Sequence, residues 1–66
     1  MEAPLAMAER HVREGAARVA WQTELVAELE RRGRWEHAAL SRQVLATLCW
    51  TQALFEADVL AIRARN

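Results

Sequence analysis

The chain has 66 residues, and its nine arginines balance nine acidic side chains, so that the formal net charge is zero. A neutral chain has no overall positive field, and we therefore expect neither nucleic acid nor a membrane as its partner. The single cysteine, Cys49, excludes an internal disulfide and agrees with a reducing cytoplasm. So short a chain buries only about 60% of its unfolded surface, which makes a stabilising partner expected.

The first predicted element is a long helix over residues 4–32. Pro4 suits the first turn of a helix, where no N–H is needed, and the segment that follows contains one glycine and no other proline. Three pairs of opposite charge at i,i+4 should support its surface. These pairs are Glu9 with Arg13, Glu14 with Arg18, and Glu28 with Arg32.

A turn is predicted over residues 33–35 and a second helix over residues 36–64. Gly33 can take the left-handed conformation that ends a helix, and the arginines around it complement the helix dipole. Two long helices joined by so short a turn form an antiparallel hairpin. The predicted fold is therefore all-α, with residues 1–66 forming a single helical-hairpin domain.

Apolar and small residues at spacings of three and four form one stripe on each helix, and the two stripes are predicted to pack together as a seam. The stripe of the first helix consists of Leu5, Ala8, Val12, Gly15, Val19, Gln22, Val26 and Leu29. The stripe of the second helix consists of Ala38, Ser41, Leu45, Leu48, Gln52, Phe55, Val59 and Ile62.

Folding the chain at the turn places Gly15 close to Gln52 and Phe55, where a missing side chain makes room for large ones. Gln22 and Gln52 interrupt otherwise apolar stripes. These amides either fix the register of the seam or reach solvent at its edge, and the sequence leaves both interpretations open.

The second helix is also free of charge on the side opposite the seam, over twelve residues that we call the outer face. The outer face consists of Ala39, Leu40, Gln43, Ala46, Thr47, Trp50, Ala53, Leu54, Ala57, Leu60, Ala61 and Ala64. A helix that is apolar on two sides is normally buried on both, and one hairpin covers only one of them. A second copy is the simplest cover, which predicts a homodimeric four-helix bundle. The expected self-association interface consists of Ala46, Trp50, Ala53, Leu54, Ala57, Leu60 and Ala64.

Two other uses of this surface stay open. The outer face could instead receive a helix from another protein, as in helix-in-groove recognition. Trp21 and Trp50 are expected at nearly the same level of the hairpin, and they are candidate aromatic contacts for a small ligand, or for a minimal catalytic site, at the subunit interface.

The sequence indicates no catalytic site, no cofactor and no metal site, so an enzyme is not expected. His11, His37 and Cys49 should lie at three different levels of the hairpin, without the spacing of metal ligands. Cys49 is expected to pack as a small buried apolar residue. Four arginines near the turn form one candidate anion site, although a solvated helix end is the simpler interpretation. They are Arg31, Arg32, Arg34 and Arg42.

Three segments resemble a set of short uncharacterised proteins of alphaproteobacteria such as rhizobia, whose pattern is AERHVxEG, then LExxG, then QALxxAD. The segments are MAERHVREG over residues 7–15, RVAWQTELVAELE over residues 18–30 and LATLCWTQALFEAD over residues 45–58. The resemblance implies a bacterial cytoplasmic helical hairpin and brings no activity or site residues. It also suggests a natural start at Met7, with residues 1–6 as a poorly structured extension.

Overall fold

The structure, a computed structural model, describes residues 1–65 of the chain. Helix α1 comprises Pro4–Arg31 and helix α2 comprises Trp35–Arg65, and the described residues contain no strand. The helices lie side by side in a rod of 49 × 18 × 14 Å. The all-α two-helix hairpin is thereby confirmed, and the observed helix ends differ from the predicted ones by at most one residue.

Helix α1 begins without a side-chain cap. Pro4 occupies its first turn, and the carbonyl just before it accepts a hydrogen bond from the Met7 N–H at 3.0 Å. The carboxylate of Glu2 accepts hydrogen bonds from the guanidinium of Arg10, the shortest at 2.9 Å. The expectation of a poorly structured extension at residues 1–6 is therefore wrong for residues 4–6, which are helical, whereas residues 1–3 form no helix or strand and are held to α1 through Glu2.

The two helices are joined by a tight turn in which Gly33 has a φ of 70°. The Gly33 N–H donates to the Glu30 carbonyl at 3.0 Å, and the Arg34 N–H donates to the Leu29 carbonyl at 2.9 Å. This pair of bonds is a Schellman arrangement, which satisfies carbonyl groups at the end of α1. A left-handed conformation costs other residues about 1–2 kcal/mol, which explains the glycine.

The seam between α1 and α2 is the core of the hairpin. Every residue of the two predicted stripes is buried or half-buried, and Ala8, Val26, Ala38 and Val59 are the most enclosed apolar residues. Within residues 1–65 no large side chain is fully buried. Because each helix has a neighbour on one side only, the hairpin leaves much of its apolar surface open.

Gln22 and Gln52 lie inside the seam and not at its solvent edge. Gln22 Nε2 donates to the Ser41 carbonyl at 3.0 Å, and Gln52 Nε2 donates to the Val12 carbonyl at 2.7 Å. Each amide therefore crosses to the backbone of the opposite helix. A slip of one helix along the other would break both bonds and leave the amides buried without partners, so the glutamines fix the register.

Gly15 allows Gln52 and Phe55 to approach α1 closely. A Cβ atom at Gly15 would overlap Gln52 Oε1 and would lie 3.3 Å from Phe55 Cδ2. Gln52 Oε1 is buried and accepts no hydrogen bond from the described residues. The expected packing role of Gly15 is thus confirmed, because the Gln52 amide occupies the space that a side chain would need.

Two ion pairs bridge the helices along one edge of the hairpin. Glu9 pairs with Arg63 at 2.9 Å, and Glu30 pairs with Arg42 at 2.6 Å. Glu9 therefore pairs across the seam and not with Arg13, because antiparallel packing brings the flank of α2 beside it. The other two predicted pairs form within α1, namely Glu14–Arg18 at 3.7 Å and Glu28–Arg32 at 2.6 Å.

Candidate functional site

The outer face of α2 is exposed along nearly its whole length, about 38 Å for a helix of this rise. Ala39 is half-buried, and the other residues of the face are exposed. Trp50 and Leu60 are 67% and 66% exposed, and Leu40 and Leu54 are also among the large exposed apolar residues. An uncharged and largely apolar surface of this length is typical of a site that contacts another protein or a membrane.

The residues predicted for the self-association interface all lie exposed on this face. They are Ala46, Trp50, Ala53, Leu54, Ala57, Leu60 and Ala64. Their exposure is what an unoccupied interface requires, and their burial by a second copy stays a prediction.

The charged residues of α2 lie beside the outer face and not on it. On one flank, Arg42 and Arg63 are bound to the carboxylates of Glu30 and Glu9 in α1. These arginines are therefore turned toward the seam edge of the hairpin. A partner that covers the outer face therefore need not bury either of these arginines, which avoids the large cost of removing their charge from water.

The opposite flank of α2 is apolar over the middle of the hairpin. Val44 is half-exposed, although it belongs to neither predicted face. Trp21 and Leu25 of α1 border the same flank by their helical spacing from the seam. The two edges of the hairpin are thus unequal: ion pairs bridge the helices along one, and the other carries an apolar patch at Val44, Trp21 and Leu25. Hydrophobic spacing alone missed Val44 because it lies between the two faces.

The three tryptophans are similarly exposed, at 66% for Trp21, 64% for Trp35 and 67% for Trp50. Trp21 borders a shallow pocket with Gln22 and Leu48, and a second one with charged side chains of α1. Trp50 lines neither of these pockets. Within one hairpin, Trp21 and Trp50 therefore do not line either of these pockets together. A ligand site between two copies stays a prediction.

A groove of about 460 Å³ lies near the open end of the hairpin, at the edge that carries the Glu9–Arg63 pair. Its lining consists of Glu9, Val12, Arg13, Glu56, Val59, Leu60 and Arg63. The lining includes no histidine, cysteine or hydroxyl side chain, and one of its two carboxylates, that of Glu9, is paired with Arg63.

Cys49 is exposed, and the expectation that it is buried is wrong. The residue follows Leu48 of the seam, and one step along a helix turns the side chain about 100° away. His11 packs against Phe55 with ring centroids 5.3 Å apart. Among residues 1–65, no cluster of three or more His, Cys, Asp or Glu side chains could hold a metal ion.

The arginines near the turn are largely engaged by carboxylates. Arg31 and Arg32 each donate to Glu28 at 2.6 Å, and Arg42 donates to Glu30 at the same distance. The hydrogen bond from Arg31, followed by that from Arg32, lowers the pKa of the Glu28 carboxyl. Three of the four arginines of the candidate anion site are therefore already paired, which favours the simpler interpretation of a solvated helix end.

Helix α2 is long and apolar enough to cross a membrane, judged by length and composition alone, and 11% of its most apolar window is buried. Core helices of soluble proteins meet the same criteria, but such helices are mostly buried, and this one is mostly exposed in the hairpin. Helix α1 lies along α2 and carries exposed ion pairs such as Arg10 with Glu14. These charges could not enter a bilayer, so α2 could span one only if the hairpin opened.

Comparisons of the chain with protein-family models, with curated proteins and with solved structures found no significant match. The resemblance to the rhizobial-type proteins stays a prediction, and the function has to be argued from the surfaces of the hairpin.

Proposed function

We propose that this protein is a self-associating helical hairpin, in which the outer faces of two copies meet to form a dimeric four-helix bundle. The observation that carries the proposal is the exposed and uncharged outer face of α2. The bundle serves as a structural or interaction module without catalysis. It acts in the cytoplasm, and neither nucleic acid nor a membrane is its partner.

The exposed area of the hairpin supports a partner of its own size. The usual scaling of surface with mass gives about 4250 Å² for a folded monomer of 7.5 kDa. The hairpin exposes 4979 Å². The excess is about 730 Å², close to the roughly 800 Å² that each partner buries in an interface of standard size. Covering one face of the rod once would therefore bring its exposure to the normal range.

A second copy also suits the charge of the chain. Because the formal net charge is zero, two copies approach each other without net repulsion. The outer face carries no ionisable side chain, and contact between two such faces therefore buries no unpaired charge from the faces themselves. Two-fold symmetry lets the same surface serve on both partners, so one apolar face satisfies both chains.

The test compares two tryptophans of equal exposure. Trp50→Glu places a charge on the outer face, whereas Trp35→Glu places the same charge beside the turn, at a residue that is 64% exposed. We expect light scattering coupled to size-exclusion chromatography to give a dimer for the wild type and for Trp35→Glu, and a monomer for Trp50→Glu. Circular dichroism checks that each variant remains helical.

Equal dimerisation of the Trp50→Glu and Trp35→Glu variants would contradict the proposal. A second arm tests whether the outer face docks on lipid, by flotation with vesicles of phosphatidylcholine and phosphatidylglycerol. A monomeric wild type that floats with the vesicles, and a Trp50→Glu variant that does not, would assign the face to a membrane surface and would also overturn the dimer.

A further inference from the structure

We infer that the two copies pair α2 against α2 in antiparallel orientation, with the two-fold axis between Trp50 and Ala53. This inference rests on the proposed self-association and specifies its geometry. Within the outer face, eight residues repeat at alternating spacings of four and three, as the inner seam does. We call them the second seam. They are Ala39, Gln43, Ala46, Trp50, Ala53, Ala57, Leu60 and Ala64.

A spacing of four and three places these residues on one narrow line along a helix, which is the pattern of a coiled-coil contact. The line runs from Ala39 to Ala64 with no charge on it. Helix α2 therefore carries two seams of the same period on opposite sides. The first is covered by α1, and in the proposed dimer the second packs against α2 of the other copy.

In antiparallel pairing about the midpoint of the second seam, its bulkiest side chain falls opposite an alanine, and Gln43 falls opposite Leu60 of the partner subunit. When α2 faces an antiparallel copy of itself, each residue meets the one equally far beyond the midpoint. Trp50 then meets the partner's Ala53, and Ala46 meets the partner's Ala57. In each of the two symmetric contacts, the largest side chain of the second seam therefore packs against an alanine.

Parallel pairing would place every residue against its own copy. Trp50 would meet Trp50 of the partner subunit, and Ala46, Ala53 and Ala57 would each meet an alanine. Packed helices keep a nearly constant separation of about 8–10 Å, and protein interiors leave few voids. The tryptophans would hold the helices apart while the alanines around them left gaps, so parallel pairing packs poorly.

The flanks of the second seam agree with the antiparallel arrangement. On the apolar side, the nearest flank positions are offset by two residues from the exact level: Leu40 comes close to the partner's Ala61 and Leu54 comes close to the partner's Thr47, which again pairs a large side chain with a smaller one.

On the other side, Arg42 comes near the partner's Arg63. Their like charges are already compensated, because Arg42 pairs with Glu30 and Arg63 pairs with Glu9 within each hairpin. The ion pairs that bridge the helices of one hairpin thus offset the like charges of these two arginines at the border of the interface.

The inner seam already shows the same solution within one chain. There, antiparallel packing brings Gln52 and Phe55 of α2 against Gly15 of α1, with Phe55 Cδ2 3.3 Å from the position of a Gly15 Cβ. The largest side chain of the inner seam lies against its smallest residue. The second seam repeats this arrangement between Trp50 and Ala53 of two chains.

Disulfide trapping distinguishes the two orientations. In a Cys49→Ser background, which removes the only native thiol, Ala46→Cys and Ala57→Cys are prepared separately. In the antiparallel dimer two copies of residue 46 are about 16 Å apart along the axis, beyond the reach of a disulfide. Residue 46 of one copy and residue 57 of the other face each other. We therefore expect rapid cross-linking under mild oxidation when the two variants are mixed, and little with either alone.

An Ala20→Cys variant in the same background, at an exposed position of α1, gives the rate of cross-linking by random collision. Cross-linking of Ala46→Cys alone, or of Ala57→Cys alone, as fast as in the mixture would establish parallel pairing and overturn the inference. A dimer by sedimentation that cross-links in the mixture no faster than the Ala20→Cys control would show that the axis lies elsewhere. A monomer by sedimentation would instead contradict the proposed self-association itself.

Discussion

The two sides of α2 follow the same repeat and differ in what covers them. Toward α1, Leu45, Leu48 and Phe55 fill the seam, and Gln52 reaches across to the Val12 carbonyl at 2.7 Å. On the opposite side the repeat consists of five alanines with Gln43, Trp50 and Leu60, and all of its residues except Ala39 are exposed. A helix with two apolar seams needs two neighbours, and the chain itself supplies one. Under the proposed self-association, a second copy supplies the other.

The largest effect is expected from a charge at the centre of the uncovered side. Ala53→Arg would place a guanidinium beside the Trp50 side chain of the partner, in an apolar contact that removes the charge from water, and Glu56 on the exposed flank is the one carboxylate of α2 within an i,i+3 spacing. Burying a charged side chain costs several kcal/mol, so the dimer dissociation constant should rise by about 100-fold or more. A dilution series followed by light scattering measures this change.

Ala20→Arg is the matched control for this prediction, because Ala20 is also exposed on a helix but belongs to α1. It should leave the dissociation constant of the dimer nearly unchanged. If both arginine variants dimerised as tightly as the wild type, the uncovered side of α2 would not be the contact surface.

A smaller effect is expected on the covered side, at Gly15. Gly15→Ala should gain about 1 kcal/mol of helix propensity, but its Cβ displaces the Gln52 amide from a buried hydrogen bond worth about 1–3 kcal/mol. The net result should be a loss of about 1 kcal/mol in the free energy of unfolding. Thermal unfolding at fixed protein concentration measures it.

A double-mutant cycle with Gln52→Ala sharpens the prediction for Gly15. In the Gln52→Ala background the obstruction is gone, and Gly15→Ala should then stabilise the hairpin through helix propensity. The same destabilisation by Gly15→Ala in both backgrounds would show that Gln52 does not determine the need for glycine.

The smallest effect concerns acid sensitivity, which should arise from the ion pairs and not from the outer face. Hydrogen bonds from Arg31 and then Arg32 hold the pKa of the Glu28 carboxyl below its ordinary value of 4.5. A lowered pKa in the folded state stabilises the hairpin above the ordinary value, and this contribution disappears as the pH falls through the folded pKa.

We therefore expect the melting temperature of the wild type to fall more steeply below about pH 4.5 than that of Glu28→Gln. The dimer dissociation constant of the two proteins should be the same at neutral pH, because Glu28 lies on α1. Identical acid profiles of the melting temperature would contradict the role assigned to the Glu28 pairs.

The covered seam could be predicted from sequence because its cause is local and periodic. Spacings of three and four identify the residues that face the other helix, and Gly33 marks where the chain reverses. Once the turn is known, the antiparallel level of each residue follows, which is why the approach of Gly15 to Gln52 could be anticipated.

Details that depend on side-chain conformation could not be obtained from the same pattern. Glu9 reaches Arg63 and not its i,i+4 neighbour Arg13, because the edge of α2 offers a partner distant in the sequence. Cys49 lies on a flank of α2, one residue after Leu48 of the seam. At such a position a rotation of one residue along the helix separates a side chain that is covered by α1 from one that is exposed. The acceptors of the glutamine amides are backbone carbonyls of the opposite helix, which a pattern of residue types does not specify.

The most direct test of the account is the solution mass of the wild-type chain, measured by sedimentation equilibrium from low to high micromolar concentration. Self-association through the outer face predicts a mass that rises toward twice 7.5 kDa as concentration increases. A mass that stays at 7.5 kDa through high micromolar concentration would contradict the central claim.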